Sequence, residues 1–420
     1  MPTRGLLSKS LLLAGLLAWL PAGRLLAQKP EEIAWLNQHS TPVQAVRAGS
    51  GLADLAPLGT LVAGAKVVGL GECTHGSHEV FQLKQRLLEY LVEQQGFTTF
   101  AFEAGYGWGE TLNEYIQTGK GDSATVHRAM DYENWNTTEF WDMIEWMRAY
   151  NQQHTAKIRY VGIDMQNPYP SLARLDHYAT QQADTVLSRR VKDLRNYYLA
   201  FRKVRGAIPA ATKRHMVQLS DELARHLQAT AAPVALQQHG QVLLQGAQLY
   251  QAGIGSPIRD KNMATNVAWA LAQGPATKVV LWAHNEHVNK FAGSKAAMGH
   301  YLAQQLGPAY VALGFATGNG TASVGGNFLA VPLTPPVPNS AERWLDQVRA
   351  PIFCLNLREL GASTPATNWL LQRHSFRKMG VLLLTKQFYA RPPLPSLYDA
   401  LIYLHQTSAS LSYRAAHPAK

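Results

Sequence analysis

Four short apolar runs along the chain each end on an ionisable residue. The runs VVGLGE, TTFAFE, RYVGID and VVLWAH end at Glu72, Glu103, Asp164 and His284. They are rich in β-branched and aromatic residues and are separated by helical or mixed sequence, which is the pattern of buried parallel strands. Ligands of open parallel sheets bind outside the carboxyl ends of the strands. If the four strands are neighbours, the pattern predicts that the four side chains face one crevice.

The segments between these runs have the apolar spacing of helices. Residues 74–95 form a predicted helix that Gly96 ends as its C-cap. Further helices are predicted at 110–117, 139–151 and 259–272, and further strands at 310–315, 328–331, 381–385 and 400–404. A strand–helix–strand order of this kind builds a parallel sheet. The predicted fold class is therefore α/β, with a mostly parallel sheet core flanked by helices.

Residues 171–252 differ in texture from the rest of the chain. They are rich in Leu, Ala, Gln and Arg and contain no convincing strand, and glycines and Pro257 follow them. We interpret this segment as a long helical insertion that caps the crevice, between core segments 28–170 and 253–420. With 420 residues, of which 46% are hydrophobic, the chain is long enough to bury such an elaborated core.

The amino-terminal residues have the pattern of a secretory signal peptide. Arg4 and Lys9 precede an apolar stretch at 11–20, and Ala27 is a small residue at a plausible cleavage point. The alternative, an uncleaved anchor helix, is disfavoured because the apolar stretch is too short to span a bilayer comfortably. We therefore expect residues 1–27 to be removed near Ala27. The mature protein is expected in the periplasm or outside the cell, without a stable membrane anchor.

The net charge of +11 raises the question of an anionic partner. A basic balance can indicate binding to nucleic acid or to a membrane surface. The Lys and Arg residues are scattered, however, and no basic block interleaved with aromatic residues occurs in the sequence. A small-molecule partner is therefore expected rather than a nucleic acid, and the oligomeric state is left open.

The densest group of chemically active residues follows the first run. Glu72 and His75 stand three positions apart, between glycines, at a strand-to-helix transition. A neutral histidine suits a general base, and a carboxylate beside it can orient the ring and stabilise its cation. The competing interpretation is a helix cap with Thr74 as the N-cap residue. Capping does not account for an acid at the end of an apolar strand, so the catalytic interpretation is favoured.

The second dense group is His284, Asn285 and His287 after the fourth run. Together with Glu72, His75 and Glu103, these histidines would be an adequate set of zinc or iron ligands. The sequence contains neither a His-Glu-x-x-His helix nor a Cys-x-x-Cys pair. His287 fits a hydrogen-bonded support beneath the site equally well.

Two acidic residues have ambiguous roles. Asp164 either accepts a hydrogen bond from a histidine or caps a loop. Asp260, which follows Arg259 at the beginning of a predicted helix, is interpreted as complementing the helix dipole.

Common nucleophile and cofactor signatures do not occur in the sequence. It contains no Gly-x-Ser-x-Gly elbow, no Walker A loop and no convincing dinucleotide fingerprint. Cys73 lies beside His75, but residues so close on such a turn usually diverge. Cys73 and Cys354 are expected to be buried small hydrophobes, although the sequence leaves their pairing open. Water activated by a histidine is the simpler proposal.

Several of these motifs resemble those of the erythromycin esterase family. They occur in the family's order over residues 60–405 and comprise GECTHGSHE from Gly71, FEA from Phe102, GIDMQ from Gly162, RDKNMA from Arg259, WAHNxH from Trp282 and YDAL from Tyr398. Because several separate motifs agree, the match is much more specific than any one of them.

The resemblance implies a hydrolase that opens the macrolactone ring of macrolides with histidine-activated water, without a required metal or cofactor. It implies that His75 is the base, that Glu72 and Glu103 orient it or the water, and that His284 is a second active-site histidine. Lys84 stands where some members have Arg, so a bidentate contact is missing there. The residues expected to bind substrate or to support the site are Lys84, His287, Asp164, Asn285 and Arg259. A macrolide substrate does not follow from membership alone.

Two alternatives to this function remain. One is a metal-dependent hydrolase that uses the same Glu and His cluster. The other is a non-enzymatic haem- or metal-binding protein of similar fold. Haem binding needs no paired carboxylates, whereas water activation does, so the hydrolase is favoured.

Overall fold

The structure, a computed structural model, describes most of the chain. The described residues are 28–122, 126–127, 135–203, 208–253, 255–293, 295–326, 328–379 and 386–416. The predicted signal peptide at 1–27 and the predicted strand at 381–385 lie outside them. Of the helices in the described part, none is both long and apolar enough to cross a membrane.

A large mixed sheet forms the centre of the fold. The strands are β1 (Ser40–Pro42), β2 (Val67–Leu70), β3 (Thr99–Gly105), β4 (Arg159–Asp164), β5 (Val279–Trp282), β6 (Tyr310–Val324), β7 (Leu329–Pro332), β8 (Ile352–Asn356), β9 (His374–Arg377), β10 (Phe388–Arg391) and β11 (Ala400–Thr407). The order across the sheet is β1-β8-β11-β6-β2-β5-β3-β4, β7 pairs with β6, and β9 and β10 form a separate ribbon. All pairings from β11 to β4 are parallel, and β1, β7 and β8 add antiparallel pairings.

The strands that carry the four ionisable residues are adjacent in the order β2, β5, β3 and β4. Strand β5 enters between β2 and β3 although it follows β4 in the chain. The strand order therefore reverses beside β2, and such a switch point opens a crevice at the carboxyl edge of a sheet. Glu103 and Asp164 lie in the last residues of β3 and β4, and Glu72 and His284 lie two residues beyond the ends of β2 and β5.

Helices cover both faces of the sheet. They are α1 (Pro30–His39), α2 (Ala56–Leu61), α3 (His78–Gln95), α4 (Tyr106–Thr118), α5 (Thr138–Gln153), α6 (Tyr169–Gln181), α7 (Thr185–Lys203), α8 (Ala210–Ala229), α9 (Val234–Ala252), α10 (Ile258–Leu271), α11 (Asn285–Val288), α12 (Met298–Leu306), α13 (Ala341–Leu345), α14 (Leu394–Leu397) and α15 (Tyr413–Ala416). Short 3₁₀ helices span Ala53–Leu55, Gly307–Ala309 and Asn368–Leu371. Along β2, Val67 packs in one core and Val68 and Leu70 in the other. Burial on both faces explains why the strands are continuous apolar runs. The predicted α/β fold class, a mostly parallel sheet flanked by helices, is confirmed.

Helices α6 to α9 occupy the segment where the helical insertion is predicted. They share a hydrophobic cluster of their own, which includes Leu172, Leu194, Leu223 and Leu243. His239 of α9 connects this segment to helix α4, because its Nε2 lies 2.7 Å from Glu110 Oε2. Its Nδ1 lies 2.9 Å from Ser171 Oγ of α6. The four helices therefore have their own core and a polar attachment to helix α4.

The structure differs from the sequence predictions at several boundaries. Helix α3 begins at His78, four residues later than predicted, because the preceding residues form a loop. Ser77, not Thr74, is the N-cap residue, so the capping interpretation of Thr74 is wrong. Strand β6 continues to Val324, well beyond the predicted end, and β8 was not predicted.

Strand β3 contains a bulge beside Glu103. The register with β4 shifts between Phe102 and Gly105. Gly162 of β4 lies so close that a Cβ there would be 2.4 Å from Gly105 O and 2.8 Å from Ala104 O. Bulges next to functional sites re-aim side chains, and this one needs a glycine on the neighbouring strand.

Replacing Gly162 by Ala is therefore expected to lower both the thermal unfolding midpoint and the activity, at a cost of roughly 1–3 kcal/mol, which is typical of overpacking. A matched control is Gly255→Ala, because a Cβ at Gly255 meets nothing within 4 Å. Thermal unfolding of the two variants measures the difference. Equal midpoints would contradict the close approach of the two strands.

Candidate active site

Neighbouring strands hold the loop between β2 and α3 in place. Gly71 N donates to Leu313 O at 2.8 Å, and Gly76 O accepts from Ser323 N at 2.8 Å and Ser410 N at 3.0 Å. A Cβ on Gly76 would lie 2.1 Å from Ser323 O, so only glycine fits this approach. The loop is thereby fixed on both sides of the residues that carry the chemistry.

Glu72 is a fully buried carboxylate with three donors. Oε1 accepts from His75 Nδ1 at 2.7 Å, and Oε2 accepts from Lys84 Nζ at 2.8 Å and Trp282 Nε1 at 2.6 Å. Burial alone would raise the pKa of Glu72, but the charge of Lys84 and the contact with His75 outweigh it and hold the pKa below its ordinary value. Glu72 is therefore ionised inside the protein.

The contact with Glu72 fixes the tautomer of His75. Because the carboxylate can only accept, the proton of the neutral ring lies on Nδ1, and the lone pair lies on Nε2. Nε2 has no hydrogen-bond partner in the part of the chain that the structure describes. The side chain is 13% exposed, and its ring meets Trp135 edge-on with centroids 4.6 Å apart. His75 therefore presents a basic nitrogen from a ring that is fixed in orientation.

Lys84 lies beneath Glu72. Its side chain is 0% exposed, and Nζ stands 3.9 Å from the centroid of the Trp282 ring. Burial lowers the pKa of Lys84 to about 8 although Glu72 acts in the opposite direction. Of the two roles left open by the sequence, this position favours support of Glu72 over contact with a substrate.

Glu103 is the second buried carboxylate of the site. Oε1 lies 3.0 Å from Arg259 Nη2 and 3.2 Å from His287 Nε2, while Oε2 accepts from His284 N at 2.9 Å. Burial alone would raise the pKa of Glu103, but the charges of His287 and Arg259 hold it well below its ordinary value. Glu103 is thus ionised and ties β3 to the end of β5.

Arg259 links Glu103 to Asp164. Its Nε and Nη2 atoms donate to Asp164 Oδ2 at 3.2 and 2.7 Å. Asp164 Oδ1 accepts from Met165 N at 2.7 Å and Gln166 N at 3.3 Å. Asp164 therefore caps its own loop, which is one of its two predicted roles. Its other oxygen accepts from the guanidinium of Arg259 instead of from the predicted histidine.

His287 lies between two carboxylates. Nδ1 is 2.7 Å from Asp260 Oδ1, and Nε2 is 3.2 Å from Glu103 Oε1 and 3.1 Å from Arg259 Nη1. Burial would lower the pKa of His287, but Glu103 and Asp260 raise it to about 10. The ring is therefore an imidazolium. Its Nε2 donates to Glu103 Oε1 and has no lone pair with which to accept from Arg259 Nη1. Asp260, which also accepts from Met298 N at 2.9 Å, orients His287 and does more than complement a helix dipole.

His284 is a neutral histidine with both nitrogens engaged. Nδ1 accepts from Glu286 N at 3.1 Å, so Nε2 carries the proton and donates to Met379 O at 3.1 Å. Burial lowers the pKa of His284 to about 4, and His75 acts in the same direction. The ring centroids of His284 and His75 are 5.0 Å apart. These contacts favour a positioning role for His284 over proton transfer.

Asn285 attaches the short helix α11 to the sheet. Its Nδ2 donates to Phe315 O at 2.7 Å, and its Oδ1 accepts from Phe315 N at 3.1 Å. Asn285 N also donates to Glu72 O at 2.9 Å. Asn285 thus connects the loops after β2 and β5 through buried hydrogen bonds.

The two cysteines are buried, as predicted, and both are free, which answers the question of pairing that the sequence left open. Burial raises the pKa of Cys73 to about 11 and that of Cys354 to about 12. A thiol in such an environment is a poor source of thiolate, so the geometry gives no support to Cys73 as a nucleophile.

The roles of three residues at the site were not identified from the sequence. Trp282 donates to Glu72, Trp135 packs on His75, and Asp260 holds His287. A signal existed for Trp282, since a buried indole N–H needs an acceptor and this tryptophan ends a strand near an acid. No local pattern links Trp135 to His75.

Comparison with known proteins places the chain in a family. The family profile described as erythromycin esterase matches residues 92–407, which is most of the chain. The chain belongs to the erythromycin esterase family. This confirms the resemblance inferred from the motifs and identifies a family of hydrolases that act on esters of small molecules.

Curated relatives agree with this membership. The chain is 27% identical to erythromycin esterase type II of Escherichia coli over 68% of this chain and 77% of the relative. It is 23% identical to the putative hydrolase YbfO of Bacillus subtilis over 90% and 91% of the two chains. Erythromycin esterase type I of Escherichia coli is 24% identical over 59% and 70%.

Solved structures share the fold. A succinoglycan biosynthesis protein superposes with a TM-score of 0.78 at 25% identity, over 90% of this chain and 97% of the other. A Bacillus cereus protein gives a TM-score of 0.78 at 24% identity, over 91% and 98%. An erythromycin esterase mutant, EreC in its open conformation, gives 0.65 at 20% identity, over 85% and 94%. The last two comparisons bear on the fold alone.

The charge on His287 predicts how stability changes with pH. Because its pKa is raised from the ordinary 6.5 to about 10, its contribution is fully present below pH 6.5 and is lost as pH rises through about 10. A His287→Asn variant has no ring to lose its proton over this range. The free energy of unfolding of the variant should therefore decline less between pH 6.5 and 9.5 than that of the wild type. Urea unfolding at several pH values measures both. Parallel curves would show that His287 is not charged in the folded protein.

Proposed function

We propose that the protein is an exported carboxylic ester hydrolase that cleaves an ester or lactone by direct attack of water. The supporting observation is the buried Glu72–His75 pair at the carboxyl edge of the sheet, with Nε2 of His75 left as the basic atom. The export rests on the signal-like pattern that ends near Ala27.

In the proposed reaction, His75 Nε2 takes a proton from water while the water oxygen attacks the carbonyl carbon. The bond to the alcohol oxygen then breaks, and the proton on Nε2 passes to that oxygen, which leaves an acid and an alcohol. Glu72 stabilises the transient imidazolium through Nδ1, as a carboxylate does for a histidine base. Lys84 and Trp282 keep Glu72 in place and ionised.

The proposed counterpart for the developing oxyanion is the cationic pair of Arg259 and His287. Their side chains are 17% and 16% exposed, in contrast to the fully enclosed Lys84. Glu103 contacts both cations, Asp164 holds Arg259, and Asp260 holds His287 before a substrate arrives. Preorganised charge of this kind is effective at stabilising an oxyanion.

We propose that the reaction needs no metal. Among the described residues, no three His, Cys, Asp or Glu side chains are grouped so as to hold a metal ion. The carboxylates that a metal would use already bind Lys84, Arg259 and His287, so a cation would have to displace these partners. Activity that survives dialysis against a chelator would support this mechanism, and loss of activity restored by zinc would overturn it.

We propose a macrolide as one candidate substrate because two of the relatives are named erythromycin esterases. Helices α6 to α9 are proposed to act as the cap that shapes the crevice for the substrate. An ester and lactone panel that includes macrolides, followed by mass spectrometry for the addition of water, tests the substrate class.

Replacing His75 by Asn should lower kcat by about a thousandfold, within the range of general-base catalysis. The matched control is His154→Asn, an exposed histidine at the end of α5. Steady-state kinetics and circular dichroism compare the two variants. Ester cleavage by a folded His75→Asn variant at the wild-type rate would show that another group is the base.

Replacing Glu103 by Gln should lower kcat more than it raises KM. The amide keeps an acceptor for His284 N but removes the charge that balances Arg259 and His287. Their electrostatic arrangement matters most in the transition state. A change confined to KM would assign Glu103 to substrate binding instead.

A further inference from the structure

A cleft of about 370 Å³ adjoins the active site on the side of helix α11. Its walls include Glu286, Phe291, Lys295, Arg373, Arg391 and Tyr398. The volume falls in the range of small-molecule sites. None of these residues takes part in the proposed water activation.

The cleft is joined to the catalytic residues by short contacts. Glu286, in its wall, donates its backbone N–H to His284 Nδ1 at 3.1 Å. Tyr398, also in the wall, donates its hydroxyl to Asn285 O at 3.4 Å. The short helix α11 therefore contributes to the wall of the cleft and also to the contacts that position His284.

The cleft carries an excess of positive charge. Lys295, Arg373 and Arg391 line it, and Glu286 is the acid among the lining residues. Glu286 is already paired with Arg391 Nη2 at 2.8 Å and with Lys378 Nζ at 3.1 Å. The side chains of Lys295 and Arg373 make no hydrogen bond or ion pair with the residues that the structure describes. Two cations in the cleft are therefore free to meet an anion.

Apolar groups accompany these cations. Phe291 is 36% exposed at the rim, and the buried residues Leu397 and Tyr398 form part of the wall. Guanidinium groups bind carboxylates through paired hydrogen bonds. The combination fits a short apolar chain that ends in a carboxylate.

We propose that this cleft binds a carboxylate of the substrate, so that the protein hydrolyses anionic esters or lactones in preference to neutral ones. The proposal rests on the proposed hydrolase function and specifies its substrate class. It ranks anionic esters above macrolides, which carry no carboxylate. The chain, with a net charge of +11 over its full length, stays positive when Arg4, Lys9 and Arg24 of the predicted signal peptide are left out, and this adds a long-range attraction for such a substrate.

The test compares two esters of matched length, p-nitrophenyl hydrogen adipate and p-nitrophenyl heptanoate. The wild type should show a kcat/KM about tenfold higher for the anionic ester, as expected for a charge-assisted contact, and the preference should shrink as salt is added. The double variant Arg373→Gln with Lys295→Gln should reduce the ratio at least fivefold. The control Lys66→Gln, an exposed cation at the amino end of β2, should keep it.

Equal ratios in the wild type and the double variant, or a wild-type preference for the heptanoate, would overturn the proposal. If neither ester is cleaved, the hydrolase function fails and the cleft is tested separately. Calorimetric titration with adipate should then show binding that weakens about tenfold in the double variant. The absence of adipate binding to the wild type would overturn the carboxylate site itself.

Discussion

The site depends on two ionised carboxylates that are buried at the carboxyl edge of the sheet. Removing such a charge from water costs several kcal/mol even after relaxation, unless buried partners offset the cost. Glu72 has Lys84 and the indole of Trp282, and Glu103 has Arg259 and His287. The buried cations hold the pKa values of both acids below their ordinary value despite burial.

This balance of charges assigns different states to three neighbouring histidines. His287 lies between Glu103 and Asp260 and is a cation, whereas the ring of His284 bonds to two backbone groups, Glu286 N and Met379 O, and is neutral. His75 has a single carboxylate at Nδ1, which leaves Nε2 as the basic atom. The positions of the carboxylates therefore account for the proposed base His75, the positioning ring of His284 and the fixed cation of His287.

The sequence predicted the four strand ends because they can be seen in short stretches of chain. A charged or polar side chain at the end of a buried apolar strand is costly to bury, so its presence there indicates a function. The start of α3 was wrong because distant residues, Ser323 and Ser410, hold Gly76 in a loop. Strand β8, which pairs antiparallel with β1 and β11, was also missed. The pairing of Asp260 with His287 was missed because it joins two helices through tertiary packing.

In the proposed reaction, water activated by His75 attacks the carbonyl directly, with no covalent intermediate on the protein. The most direct test is a first turnover with enzyme in excess, run in H₂¹⁸O and quenched for mass spectrometry of both product and protein. Direct attack predicts one ¹⁸O in the carboxylate of the product and an unchanged protein mass at every time point. An acylated protein, or a first-turnover product without ¹⁸O, would contradict the claim.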